Sequence, residues 1–173
     1  MTATAREQIK GIQAAQLSVV NDFNGSDGDF AITNTEVKKL HRRTVEVLLN
    51  DANTANQACA EKVFFLADNG PVRVISARVT SLTISADNTD YATWTLARRT
   101  AGGAATTIAT RATTVAGGAM TTLTPSSMTV TVANADLALN DALTIKCVKT
   151  GAGQKIAGAT DELCSVVVVV EEI

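Results

Sequence analysis

Between Gly25 and Glu36 the chain sets acids at the third, fifth and twelfth places of a twelve-residue stretch, Gly25-Ser-Asp27-Gly-Asp29-Phe-Ala-Ile32-Thr-Asn-Thr-Glu36. With Ile32 in the eighth place, that spacing follows a calcium loop, where carboxylates converge on one hard cation. Two requirements fail. The first place, which should supply a carboxylate, is Gly25, and the sixth, where glycine permits the sharp bend, is Phe30. An acidic loop between two helices, closed by a Thr33/Glu36 capping box, accounts for the same residues, and no metal or other cofactor is assigned.

Nucleophilic catalysis needs an imidazole or an equivalent base beside the nucleophile. The only histidine, His41, stands between Leu40 and Arg42 in a cationic stretch and reads as a solvated residue. No P-loop, G-x-S-x-G or G-x-G-x-x-G occurs, and Gly102-Gly103 and Gly117-Gly118 lack the lysine of a phosphate cradle. A carboxylate pair could hydrolyse a glycoside. The acids after Ala60, however, mostly sit beside Asn, Gly or Thr, where they cap local amides. The expectation is that the chain is not an enzyme. Cys59, Cys147 and Cys164 show no C-x-x-C or Cys/His ligand spacing and read as small core hydrophobes.

Bulk properties narrow the partners. A formal charge of −2 across 173 residues gives no electrostatic footprint for nucleic acid. Aromatics at 3% leave few platforms for stacking bases or sugars. No apolar run approaches the roughly 20 residues of a membrane helix, and no signal-peptide stretch opens the chain. A soluble protein folding in a reducing cytosol is expected.

The elements that would position these residues fall into two parts. Ala5, Ile9, Ile12, Val19 and Phe23 recur at helical spacing, though Gly11 and Gln16 weaken the stripe. A second helix is predicted from Thr33, with Val37, Leu40, Thr44 and Leu48 on one face and Lys38, Lys39, Arg42 and Arg43 mainly on the other. Asn50 to Gln57 reads as its end and a linker. Residues 1–58 are thus expected to form a helical arm and residues 59–173 a β domain.

Strand periodicity begins near Glu61. Val63 to Leu66 is apolar on both faces and stops at Asn69-Gly70-Pro71. Val72 and Val74 alternate with Arg73, whereas Leu82 and Ile84 fall out of phase with Val79, which predicts a bulge between Ile75 and Ser81. Ala92, Trp94 and Leu96 alternate with threonines, as do Met128, Val130 and Val132; Leu143, Ile145 and Cys147 share one face. Cys164 to Val170 is apolar on both faces, as in a central strand or one covered by a partner. Ala-Gly-Gly-Ala occurs at 101–104 and again at 116–119, and each copy reads as a turn between strands. About seven or eight strands result, the complement of a jelly-roll or immunoglobulin-like β-sandwich, here preceded by the helical arm.

The β part resembles small virion proteins of tailed bacteriophages: capsid decoration (cement) proteins and related head-fibre modules. The resemblance is carried by residues 61–79, by Asp87-Asn-Thr-Asp-Tyr-Ala-Thr-Trp-Thr-Leu96, by Thr107 to Arg111, by Leu139-Asn-Asp-Ala-Leu-Thr-Ile145 and by Ser165 to Glu172. Asn140 stands where the family-like turn usually has glycine. The resemblance implies a sandwich on the outer face of an icosahedral shell, bound to the major capsid protein, often as a homotrimer. Localisation would be the virion, with assembly in the host cytoplasm. Residues 1–58 would then attach and oligomerise. Ile9, Ile12, Val19, Lys38, Lys39, Arg42, Arg43, Val166, Val168 and Val170 are the expected partner-interface residues. The rival reading is a receptor- or glycan-binding module of a head fibre or tail, and a non-viral bacterial interaction domain is a third.

Overall fold

The computed structural model describes residues 41–49, 59–100, 103–151 and 164–173. Inter-residue contacts divide the chain between His41 and Arg42, and the β domain therefore starts at Arg42. Its strands are β1 (Arg42–Leu49), β2 (Lys62–Leu66), β3 (Val72–Thr80), β4 (Tyr91–Arg99), β5 (Ala105–Ala112), β6 (Ser126–Ser127), β7 (Thr129–Val130), β8 (Asp136–Leu137), β9 (Ala142–Thr150) and β10 (Cys164–Glu172). One antiparallel sheet runs β1-β10-β3-β6, with β8 also paired to β3; the other runs β2-β9-β4-β5-β7. A sandwich of two antiparallel sheets was the architecture expected from the periodicity.

The first correction concerns β1. A helix was expected through Leu48, yet Arg42–Leu49 is a strand, paired without interruption to β10 from Arg42↔Glu171 to Leu49↔Cys164. The helical stripe relied on Thr44 and Leu48, which are exposed, whereas Val45, Val47 and Leu49 carry the strand's buried side. The stretch satisfies both periods. Pairing with a partner more than a hundred residues away decides between them, and β-branched Thr44, Val45 and Val47 suit the pleat. The domain boundary accordingly precedes the expected linker. The predicted N-terminal helix, the calcium-like loop and residues 50–57 lie outside the described residues.

The core sits where the sheets face each other. Val166, Val168 and Val170 project into it from β10, opposite Val47, Val45 and Arg43 on one side and Val79, Ala77 and Val74 on the other. From the second sheet come Ala92, Trp94 and Leu96 of β4 and Leu143, Ile145 and Cys147 of β9. Each fully buried aliphatic side chain contributes roughly 1.5–3 kcal/mol relative to exposure. The predicted bulge is present at Ile75, which has no direct partner where Val169 pairs Ser76 and Val170 pairs Val74. It shifts the strand phase by one and so keeps both Val74 and Ala77 inward.

Two turn and strand expectations change in detail. Gly103 of the first Gly-Gly copy lies between the paired strands β4 and β5, its N donating to Thr100 O at 3.0 Å. The second leads instead from β5 to Met120, which bridges Ile84 across the domain. The strand expected over Met128 to Val132 is brief: the chain crosses between sheets from β6 to β7 with Met128 buried as the plug. Val132, 76% exposed, then opens a single 3₁₀ turn (Val132–Asn134). Leu96→Ala is expected to cost about 2–5 kcal/mol in urea unfolding, while Val63→Ala, at a residue 66% exposed, should stay within about 0.5 kcal/mol. Equal losses at the two positions would place the core elsewhere.

Candidate functional site

Of the expected interface residues, Ile9, Ile12, Val19, Lys38 and Lys39 lie outside the described residues, as do Asp27, Asp29 and Glu36. Val166, Val168 and Val170 are core side chains, 0–1% exposed, and so do not offer a surface to a partner in this fold. The reason is alternation: a strand apolar on both faces gives one face to its own core, and only Val167 and Val169 are left half-buried on the other. Arg42 and Arg43 are strand residues rather than one helical face. Arg42 Nε donates to Glu171 at 2.8 Å, and the Arg43 guanidinium donates to Glu172. Sequence spacing grouped these residues; the fold separates them.

A different surface assembles at the end of the sandwich where the chain enters at Arg42. Three chain segments meet there. Asn69-Gly70-Pro71 turns β2 into β3, with Gly70 at φ 150. The 138–141 turn joins it by two bonds, Asn140 N to Ala67 O at 2.7 Å and Ala67 N to Asp141 O at 2.9 Å. Asn140 has φ 68, the left-handed conformation that asparagine tolerates best among residues with a Cβ, which explains why it can stand in a glycine position. The Asp141 carboxylate caps the same turn, accepting from Ala138 N at 2.9 Å. Finally, Ile173 N donates to Pro71 O at 3.2 Å.

This tied end displays Leu66, Leu139 and Ile173, 49%, 54% and 52% exposed. Around them stand the pairs Arg42–Glu171 and Arg43–Glu172, and the nearby bidentate pair of Arg73 Nε and Nη2 with Asp136, at 2.5 and 2.9 Å. Arg98 Nη1 donates to Asp136 O at 2.7 Å, and its Nε lies 3.9 Å from Asp141. Apolar side chains with a charged rim are the anatomy of a protein-binding surface. Sequence reasoning passed over these residues. The available signal was Leu139 beside Asn140-Asp141, a large apolar residue inside a turn, where packing does not require one.

Three acids, Asp87, Asp136 and Glu61, are committed to local bonds. Asp87 accepts from Thr89 Oγ1 and N at 2.6 and 2.5 Å and from Asp90 N at 3.1 Å, and these bonds lower its pKa. Arg73 lowers that of Asp136. Glu61 accepts two bonds from Arg99, and with a further bond from Thr144 its carboxyl is lowered to about 2. Among the described residues, no three His, Cys, Asp or Glu side chains gather into a metal-binding group.

A concavity of about 390 Å³ lies beside β5 and is lined by Thr110, Arg111, Ser126, Ser127 and Thr129 with Ala112, Ala116 and Gly117. Arg111 looks like an anion ligand, yet its donors are spent on the fold. Nε donates to Ser126 Oγ at 2.7 Å, Nη1 to Ala112 O and Gly117 O, and Nη2 to Gly118 O and Ala119 O at 3.0 and 3.2 Å. The second Gly-Gly is fitted to this guanidinium. A Cβ on Gly117 would lie 2.0 Å from Ala112 O, and Gly118 has φ 84. The hydroxyls therefore give the groove its chemistry.

No protein-family model matches this chain, and no curated protein matches it.

Two outcomes follow from these bonds. Arg111→Lys retains the charge but not the five-donor fork, and should cost about 1–3 kcal/mol in urea unfolding, with an unchanged midpoint as the contrary result. Depressed carboxyl pKa values stabilise the fold above the unfolded values of 4.5 for Glu61 and 3.8 for Asp87 and Asp136, and that contribution is lost as pH falls through the folded values. The thermal midpoint should therefore drop on acidification from pH 4.5 toward 2, less steeply in Glu61→Gln. Parallel profiles for the two proteins would contradict the Glu61 assignment.

Proposed function

We propose that this chain is a structural virion protein that decorates and stabilises an icosahedral phage capsid by binding the outer surface of the major capsid protein lattice. The observation that carries the reading is the apolar end made by Leu66, Leu139 and Ile173, held by two cross-bonded turns and the end of β10, and rimmed by arginine–carboxylate pairs. A decoration protein works through surface complementarity repeated over many copies, and a preformed face reduces the ordering cost of each contact. The resemblance of roughly residues 60–173 to decoration and head-fibre proteins supports the same reading, as do the seven strands of five or more residues among the described residues, a number that fits a jelly-roll or immunoglobulin-like sandwich. Assembly as a homotrimer belongs to this proposal. The residues preceding Arg42, rather than all of 1–58, remain as the attachment arm.

The hydroxyl-lined groove beside β5 favours the second reading, a receptor- or glycan-binding module of a head fibre or tail. Thr110, Ser127 and Thr129 offer both donors and acceptors, which suits a neutral polyhydroxylated ligand. Missing aromatic walls make it the weaker of the two.

The paired substitution Leu66→Asp with Leu139→Asp tests the main reading on purified capsids. It should weaken binding about tenfold or more, about 1.4 kcal/mol or above, with little change in thermal midpoint. Val63→Asp, on an exposed face of β2, should bind as the parent does. Undiminished occupancy by the double variant would count against this end as the docking face.

A further inference from the structure

We infer that the free edge of β1 is a pairing surface for a second copy of this chain, joined strand to strand about a two-fold axis at Thr44. Among the described residues β1 ends its sheet, with β10 on one side only. Ile173 N donates to Pro71 O at 3.2 Å, one step past the Glu172↔Val72 pair. Backbone groups of successive strand residues point to opposite sides, so odd-numbered residues of β10 bond β3 and even-numbered ones bond β1. The even ones, from Cys164 to Val170, pair with Leu49, Val47, Val45 and Arg43. The N–H and C=O groups of Arg42, Thr44, Glu46 and Leu48 therefore point out along the free edge. A separate bond agrees: Lys62 Nζ, from the second sheet, donates to Leu48 O at 2.7 Å.

Sheet edges are commonly blunted by lysine, proline or a covering segment. Here Lys62 closes the edge at Leu48, while Arg42, Thr44 and Glu46 stay exposed. A second β1 laid antiparallel on that open stretch, with Thr44 against the partner's Thr44, sets Arg42 opposite the partner's Glu46 and Glu46 opposite the partner's Arg42. Each of these pairs exchanges both backbone bonds, and opposite charges directly across a strand pair attract. Glu46 has no ion pair among the described residues, and Arg42 engages Glu171 through Nε alone of its five donors. Sliding the register by two residues would lay Arg42 against Leu48, whose carbonyl Lys62 already holds, and would set Glu46 against Thr44. Charge and the lysine cap thus select the same register. The contact is isologous, separate from the threefold assembly and the docking end proposed above, so its failure leaves that reading in place.

The test is sedimentation velocity of the purified full-length protein over a concentration series. The parent is expected at twice the mass of Thr44→Pro, whose lost N–H points away from β10 and takes no bond from the existing ladder. Arg42→Glu and Glu46→Arg each set like charges opposite one another in self-pairing and should each associate roughly tenfold more weakly. An equimolar mixture of those two variants restores opposite charges at both positions and should recover the parent's mass. Equal masses for the parent and Thr44→Pro, or a mixture that stays at the lower mass, would overturn the inference.

Discussion

Strand β10 supplies both of its neighbours with hydrogen-bond partners in the first sheet, while its Val166, Val168 and Val170 fill the core beneath them. Without it, β1 and β3 have no common partner. The arrangement is also strongly non-local: Arg42 and the Glu171 opposite it are 129 positions apart. Closing that pairing costs loop entropy before the valines repay it, so the first sheet is complete only when nearly the whole chain is available. The second sheet has more local connections, notably the β4–β5 hairpin, and offers a surface on which the first can assemble.

Charged side chains mostly serve to hold this sandwich together. Arginines pair with acids across strands and at the strand ends, and Arg111 spends its whole fork on Ser126 of β6, the end of β5 and the loop that follows it. Surface pairs of this kind contribute little stability individually, about 0–1 kcal/mol. Their value is positional, since they fix turns and termini against one another. At the end where Arg42 enters, that positioning presents Leu66, Leu139 and Ile173 on a backbone already bonded into place. A face of this construction suits a binding protein that contributes shape rather than chemistry.

Much of the fold was legible because alternation is a local property. Trp94 and Leu96, or Leu143 and Ile145, announce their buried face from a few neighbours, and a bulge was expected between Ile75 and Ser81, although the change of phase falls between Val74 and Ala77, before the Leu82 and Ile84 that suggested it. Asn140 was visible as a glycine substitute and adopts the conformation that makes it one. What could not be read locally was decided by distant partners. The stretch from Arg42 to Leu49 fits a helical stripe and a strand equally well until β10 is beside it. The five valines signalled burial, but only the register shows that alternate ones face the protein's own core. The apolar end was hidden for the same reason, because Leu66, Leu139 and Ile173 come to one end of the sandwich only when the 69–71 and 138–141 turns and the end of β10 are bonded together.

The central claim is that the sandwich binds a repeating protein surface through the end that carries Leu66 and Leu139. An electron-microscopy map of the native particle tests it most directly. The account predicts sandwich density repeated over the outside of the capsid, with the 67–71 and 138–141 turns against the lattice. Density confined to a single vertex or the tail, or a sandwich whose Leu66 and Leu139 end points into solvent, would contradict it.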